Sequence, residues 1–318
     1  MTLMLDRIMI KCSHWMMISF NEEVFEKMDK FRGISYSYKM NTPFYLRINI
    51  SPINNEVIIE FTGKILGDSY ANLINVNNIS ECLDRIQTLN ICKLDVEGIL
   101  RTGKVLKCDV TRDIPFDLTR LPNLISDVRQ SLRNYDRWHC DPYANGAGIN
   151  GATIYNTAVN TKHKRRMVIY DKSVEMRRAD NNGFMRSLSY PDEMMAYFAD
   201  KVRVELNLYT MAQIRTALNI SDNNLMSVLT AEANPIADFI DKALTETALP
   251  ERGMSQRMRE RVAFVESLGC DMQRVEAAIR ETKPRTVAIS RAMKPYREAM
   301  AMRAPRSGVK RYLMELVA

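Results

Sequence analysis

The sequence predicts an α+β fold: a central, largely antiparallel sheet with flanking helices, followed by a helical C-terminal region. Three observations carry this reading. Short strand-like runs bounded by Gly, Pro, Asn or Asp recur through the first two thirds of the chain. Helical periodicities lie between them, and after residue 210 no convincing strand remains.

In order, strand-like runs cover residues 5–10 (LDRIMI), 44–50 (FYLRINI), 56–66 (EVIIEFTGKIL) and 104–111 (KVLKCDVT). Helical patterns cover 79–94 and 121–135, and the Asn/Gly-rich stretch 145–151 reads as a loop. Two more strands, 165–170 (RRMVIY) and 201–209 (KVRVELNLY), flank a helix over 191–200, where Pro191 suits a first helical turn. Helical runs then follow at 210–220, 234–247, 255–269 and 271–281. Met258, Val262, Val265 and Leu268 have the spacing of one buried helix face, with Gly269 as its stop. The composition shift divides the chain into residues 1–210 and residues 211–318.

With 318 residues, 46% of them hydrophobic and 26% charged, the chain has enough apolar material for a packed core, so wholesale disorder is excluded. No apolar stretch approaches the roughly 20 residues of a bilayer-spanning helix. Asp6 and Arg7 interrupt the N-terminal apolar run, so no secretory signal is expected and the reading is of a cytoplasmic protein that does not enter a membrane. The six cysteines form no C-x-x-C pair and read as reduced core thiols. The three histidines form no H-x-H or H-E-x-x-H pattern, so a metal would be held mainly by oxygen. A Walker A loop is missing, which disfavours an ATP-driven motor.

The net charge of +7 is entirely C-terminal: residues 251–318 hold fifteen Lys/Arg against eight Asp/Glu. Between Lys283 and Arg311 lie nine basic residues and one acid, Glu298. Such a stripe suits a polyanion-binding surface, and a solvated basic helix is the plainer reading.

Three segments place polar residues on strands. In 104–113, Leu106, Cys108 and Val110 alternate with Lys107, Asp109, Thr111 and Asp113; in 201–208, Val204, Leu206 and Leu208 alternate with Arg203, Glu205 and Asn207. One face is core and the other a candidate site, where two carboxylates could converge on a hard divalent cation. Each acid alone also reads as an ordinary solvent-facing strand residue. The third segment, RRMVIYDKSVEMRR, holds Tyr170, Asp171, Lys172 and Glu175.

The order D-x-T, then Y-D-K-x-x-E, then R-x-E-L resembles the rolling-circle replication initiators of the filamentous-phage gene II/X type. A similar order occurs in the staphylococcal rolling-circle plasmid initiators. The resemblance runs to about Ile220 and takes in IEFTGKILGDSYANLI, VLKCDVT, GATIYN, MVIYDKSVEM and VRVELNLYTMAQIRTALNI. It implies a nickase and strand transferase over residues 1–210, acting on a double-stranded phage or plasmid origin through a phosphotyrosine at Tyr170. It implies Mg²⁺ or Mn²⁺ held by Asp109 and Glu205, with Glu175 as a third ligand and Asp113 as a weaker one. Lys172 and Arg203 would neutralise the phosphate or favour the Tyr170 phenolate, since a phenol of pKa about 10 needs such help. As an ordinary strand residue, Tyr170 would simply be an aromatic with a bonded hydroxyl.

The resemblance also implies a host helicase and single-strand-binding protein as partners in a bacterial host, with a homodimer left open. Lys162, Lys164, Arg165 and Arg166 would grip phosphates beside the nick. Arg285, Arg291, Lys294, Arg297, Arg303, Arg306, Lys310 and Arg311 would bind duplex DNA from the helical region 211–318. The two helices flanking Gly269 fit either a helix-turn-helix or, preferably, a helical hairpin. Two rival functions stand beside this one: a tyrosine recombinase or transposase, and a non-catalytic origin-binding regulator. Tyr155, Tyr190, Tyr197 and Tyr209 are open candidates for a second tyrosine.

Overall fold

A computed structural model describes residues 2–30, 33–133, 137–144, 148–157, 165–245, 254–282, 288–302 and 308–318. Its strands are Leu5–Cys12 (β1), Met17–Phe20 (β2), Glu26–Lys30 (β3), Gly33–Met40 (β4), Leu46–Ser51 (β5), Glu56–Thr62 (β6), Cys92–Leu94 (β7), Lys104–Pro115 (β8), Trp138–Ala144 (β9), Ile149–Asn156 (β10), Arg166–Asp171 (β11) and Lys201–Leu208 (β12). The fold is α+β with antiparallel strand pairing, and helices alone follow β12 among the described residues. None of these helices is long and apolar enough to cross a membrane.

Packing divides the chain into two units, Met1–Phe116 with Asp171–Pro235 and Asp117–Tyr170 with Ile236–Ala318. This differs from the break that composition places at residue 210. The helices between 211 and 235 pack with the first unit, and strands β9 to β11 fold with the C-terminal helices. Composition records where strands cease, whereas packing depends on which apolar faces meet.

In the first unit the strand order is β3-β4-β5-β6-β1-β8-β12. Side chains alternate between its two faces. Ile8, Ile10 and Cys12 of β1 stand opposite Phe61, Ile59 and Val57 of β6, which in turn face Leu46, Ile48 and Ile50 of β5. All of these are buried. Helices Met211–Leu218 and Leu225–Leu229 cover β8 through Ile214, Leu218, Leu225 and Val228. Strands β2 and β7 form a separate ribbon, so the helix expected over 79–94 stops at Gln87 and its tail turns extended.

A register shift between Leu5 and Arg7 on β1 has a consequence for the opposite face. Leu5 and Ile8, three residues apart, are both fully buried. The extra residue of such a bulge leaves Asp6 and Arg7 together on the polar side.

In the second unit β9, β10 and β11 pair antiparallel. Cys140, Ala152, Ile154, Met167 and Ile169 form its buried face against helix Leu121–Gln130. The loop expected over 145–151 is already strand from Ile149 onward. Helices Gln256–Ser267, Met272–Thr282 and Ile289–Met302 enclose Val265, Val275, Ile279 and Met293. Val265 is fully buried, while Met258, Val262 and Leu268 are half-buried. Gly269, at φ +70°, ends the first of these helices as expected. The two helices beside Gly269 both pack on Ile289–Met302 and contribute Val265, Val275 and Ile279 to one core cluster.

Candidate functional site

The polar face of the first unit is built by strand register. Asp109, Thr111 and Asp113 of β8 stand opposite Asn207, Glu205 and Arg203 of β12. The two alternating segments therefore share one face, as their spacing predicts. Asp109 and Glu205 are diagonal neighbours, a relation that places backbones about 7–8 Å apart. Among the described residues the Oδ1 atom of Asp109 is buried without a hydrogen-bond partner. Burial raises the pKa of this carboxyl, against the opposing pull of the Asn207 hydrogen bond and Lys107.

Two residues along the strands the face closes over. Arg203 is fully buried, and its guanidinium forks onto Asp113, with Nε donating to Oδ1 at 2.6 Å and Nη2 donating to Oδ2 at 2.7 Å. Its Nη1 donates to Asp6 Oδ1 at 3.0 Å and to the Tyr70 hydroxyl, which itself donates to Asp6 at 2.8 Å. Burial alone would raise the Asp6 pKa, but Arg203 and Lys172, the Tyr70 hydrogen bond and Lys64 hold it below its ordinary value. Burial pushes the Tyr70 phenol well above its ordinary value.

Next to this lock, Lys172 is 2% exposed and pairs with Glu175 Oε2 at 2.7 Å. Burial would raise the Glu175 pKa, yet Lys172 and Lys64, with the hydrogen bond from Asn181, bring it down to about 2. Lys64 in turn donates to Asn181. Tyr70, Met176, Phe184, Leu188, Met194 and Phe198 roof the group with an apolar cluster.

The expected site residues meet these partners. The Arg203 fork is filled by Asp113, so neither the cation nor that carboxylate is presented to a phosphate or a metal. Glu175 and Lys172 likewise form a close ion pair. Among the described residues no three His, Cys, Asp or Glu side chains group closely enough to hold a metal. The expected set of four ligands is therefore not assembled, although Asp109 and Glu205 remain on a shared face. That pair suits a hard ion such as Mg²⁺, which uses one or two carboxylates and completes its shell with waters and substrate phosphate.

Asp6, Tyr70, Lys64 and Asn181 were not legible as site residues. The only sequence signal for Asp6 is a charge inside an apolar strand; Lys64 and Tyr70 fall in the segment IEFTGKILGDSYANLI without a role assigned, and Asn181 carries no signal.

Tyr170 belongs to the second unit, where it stands opposite Gly151 on β10 and is 9% exposed. Tyr143 of β9 stands on the other side of Gly151. A Cβ there would lie 2.4 Å from the Tyr143 ring, so glycine lets that ring lie across the strand. Tyr155 on the same face donates to Asp141 at 2.7 Å, stacks on His139, and has its pKa raised to about 12 by burial and that carboxylate.

Of the basic residues, Arg165 is half-buried and Arg166 exposed at the start of β11, while Lys162 and Lys164 lie outside the described residues, as do Arg285, Arg303 and Arg306. Arg291, Lys294 and Arg311 are exposed and Arg297 is half-buried. Lys310 pairs with Asp241 at 2.7 Å and is 14% exposed. The stripe thus divides into outward cations and at least one that secures a helix. All six cysteines are buried free thiols, as the absence of a C-x-x-C pair suggests.

The fold and face define an α+β chain in which one side of an antiparallel sheet carries an ionic site. No family model matches the chain, and no curated protein matches it. Among solved structures, it is similar to the rolling circle replication initiator protein from Geobacillus stearothermophilus, with 12% identity, 81% of this chain and 91% of that chain covered, and a TM-score of 0.39. At that score the likeness defines neither fold nor activity for this chain.

Proposed function

We propose that the chain initiates rolling-circle replication of a phage or plasmid, nicking one strand of a double-stranded origin through Tyr170 and later rejoining it. The observation that carries this reading is the register of the two flanking motifs, which sets Asp109 and Glu205 on one face of neighbouring strands. In this reading the Tyr170 hydroxyl oxygen attacks the scissile phosphorus, its proton passes to solvent, and the 3′ oxygen leaves and is protonated. The phosphotyrosine ester retains the bond energy, so the 3′-OH can reverse the step without ATP.

Asp109 and Glu205 would hold Mg²⁺ or Mn²⁺, which when bound polarises the scissile phosphate and spreads its charge. Lys172 and Glu175 act by holding the turn after Tyr170, which Asp171 begins by accepting from the Val174 amide at 3.0 Å. Arg165, Arg166 and the exposed C-terminal cations contact DNA phosphates. The test is incubation of wild type and Tyr170→Phe with supercoiled DNA bearing the native origin, with and without Mn²⁺, followed by a denaturing gel. A metal-dependent covalent adduct absent from the variant supports the reading. Origin binding without nicking in either protein supports the non-catalytic regulator instead, a reading favoured by the burial of Tyr170.

A further inference from the structure

A cleft of about 500 Å³ opens in the first unit where β1 begins, within the range of about 300–1,000 Å³ usual for small-ligand sites. One wall is the loop before helix Ile79–Gln87, which carries Asn72, Asn75, Asn77 and Asn78; the other is Arg112 and Asp113 of β8, with Tyr197 alongside. None of the functions assigned above uses it.

The four asparagines divide into two kinds. Asn75 and Asn78 hold the loop: Asn78 Nδ2 donates to the Leu73 carbonyl at 2.7 Å, Asn75 Nδ2 donates to the same carbonyl at 3.2 Å, and the Asn75 amide donates to Asn78 Oδ1 at 2.8 Å. These bonds keep Leu73 at φ +51°, ψ 170°, a conformation that an L residue with a Cβ adopts only when its surroundings impose it. Asn72 and Asn77 are exposed and make no side-chain hydrogen bond among the described residues. They stand on a pre-organised loop with donors and acceptors to offer.

Chemistry narrows the ligand. A carboxamide pairs in two-point fashion with the edge of a nucleobase, best with adenine. The Tyr197 ring is fixed by Lys201 at 4.4 Å on one side and by Phe198 edge-on at 4.8 Å, which makes it a rigid stacking surface. The Asp113 charge is already neutralised by Arg203, so that carboxylate does not set an unpaired negative charge against a ligand. We infer that this cleft is a binding pocket for a single unpaired nucleotide, recognised by Asn72 and Asn77 and stacked on Tyr197. The choice of a nucleotide over other planar polar ligands rests on the proposed DNA function.

The test uses the full chain with deoxyadenosine 5′-monophosphate in calorimetry, and a short single strand containing 2-aminopurine in fluorescence. Wild type should bind both saturably and quench the 2-aminopurine. The double variant Asn72→Ala/Asn77→Ala should bind about tenfold more weakly, as loss of one or two hydrogen bonds implies. Its circular dichroism should be unchanged, because the loop is held by Asn75 and Asn78. Tyr197→Leu should abolish most of the quenching.

Equal binding by wild type and the double variant, or no binding of either probe, would overturn the inference. The covalent-adduct assay with Tyr170→Phe reads the proposed function separately. An adduct without cleft binding removes only the pocket, and cleft binding without an adduct removes only the nicking role.

Discussion

The Arg203 lock predicts a large and directional stability effect for Asp113→Ala. The guanidinium is fully buried and Asp113 supplies two of its hydrogen bonds, at 2.6 and 2.7 Å. Hydrogen bonds to charged groups contribute about 1.5–3 kcal/mol each, and removing one partner of a buried pair costs about 3–5 kcal/mol. Asp6 stays at 3.0 Å and Tyr70 still accepts, so the loss belongs near the lower end, about 3 kcal/mol.

With a urea slope of about 3 kcal/mol per molar, the unfolding midpoint should fall by about 1 M at neutral pH. The double variant Asp113→Leu/Arg203→Met should recover much of this, since it removes the uncompensated cation as well. Equilibrium urea denaturation followed by circular dichroism measures both. If Asp113→Ala shifts the midpoint by less than about 0.2 M (about 0.6 kcal/mol on the same slope), or if the double variant is less stable than the single one, the reasoning fails.

Three further outcomes follow from the same geometry. Glu175 has a folded pKa of about 2 against an ordinary 4.5, so its stabilisation, on the order of 3 kcal/mol, is present above pH 4.5 and disappears as pH falls toward 2. Urea titrations of wild type and Glu175→Gln should therefore converge with acidification. The raised carboxyl of Asp109 works oppositely: its ionisation becomes a growing penalty as pH rises above 3.8. Asp109→Asn should thus keep or raise the melting temperature at pH 7 while weakening Mn²⁺ binding, measured by calorimetry. For duplex DNA, Arg291→Gln should lower the slope of log affinity against log salt by about 1, whereas Lys310→Gln, already paired to Asp241, should leave it unchanged in a salt-dependent binding assay.

Sequence alone determined the α+β class, the helical C-terminal region and the polarity of the two site strands. The reason is local: a strand alternates with period two, so Asp109 and Thr111, or Arg203 and Glu205, share a side whatever the strand pairs with. It also determined that the cysteines would be buried thiols and that Gly269 would end a helix, both consequences of side-chain chemistry at one position. Partnership was decided only by the tertiary structure. The bulge in β1 turns Asp6 toward Arg203, 197 positions away, and the 3₁₀ segment Gly63–Asn72, which carries Tyr70, completes the lock.

Asp113 and Glu175 look like Asp109 and Glu205 in sequence, because a carboxylate gives no sign of whether a cation will meet it. The structure separates Asp113, which the Arg203 guanidinium closes with two hydrogen bonds, from Asp109, whose Oδ1 has no hydrogen-bond partner among the described residues. The division into units was equally hidden, since composition along a chain records which elements form and not which apolar faces they bury together.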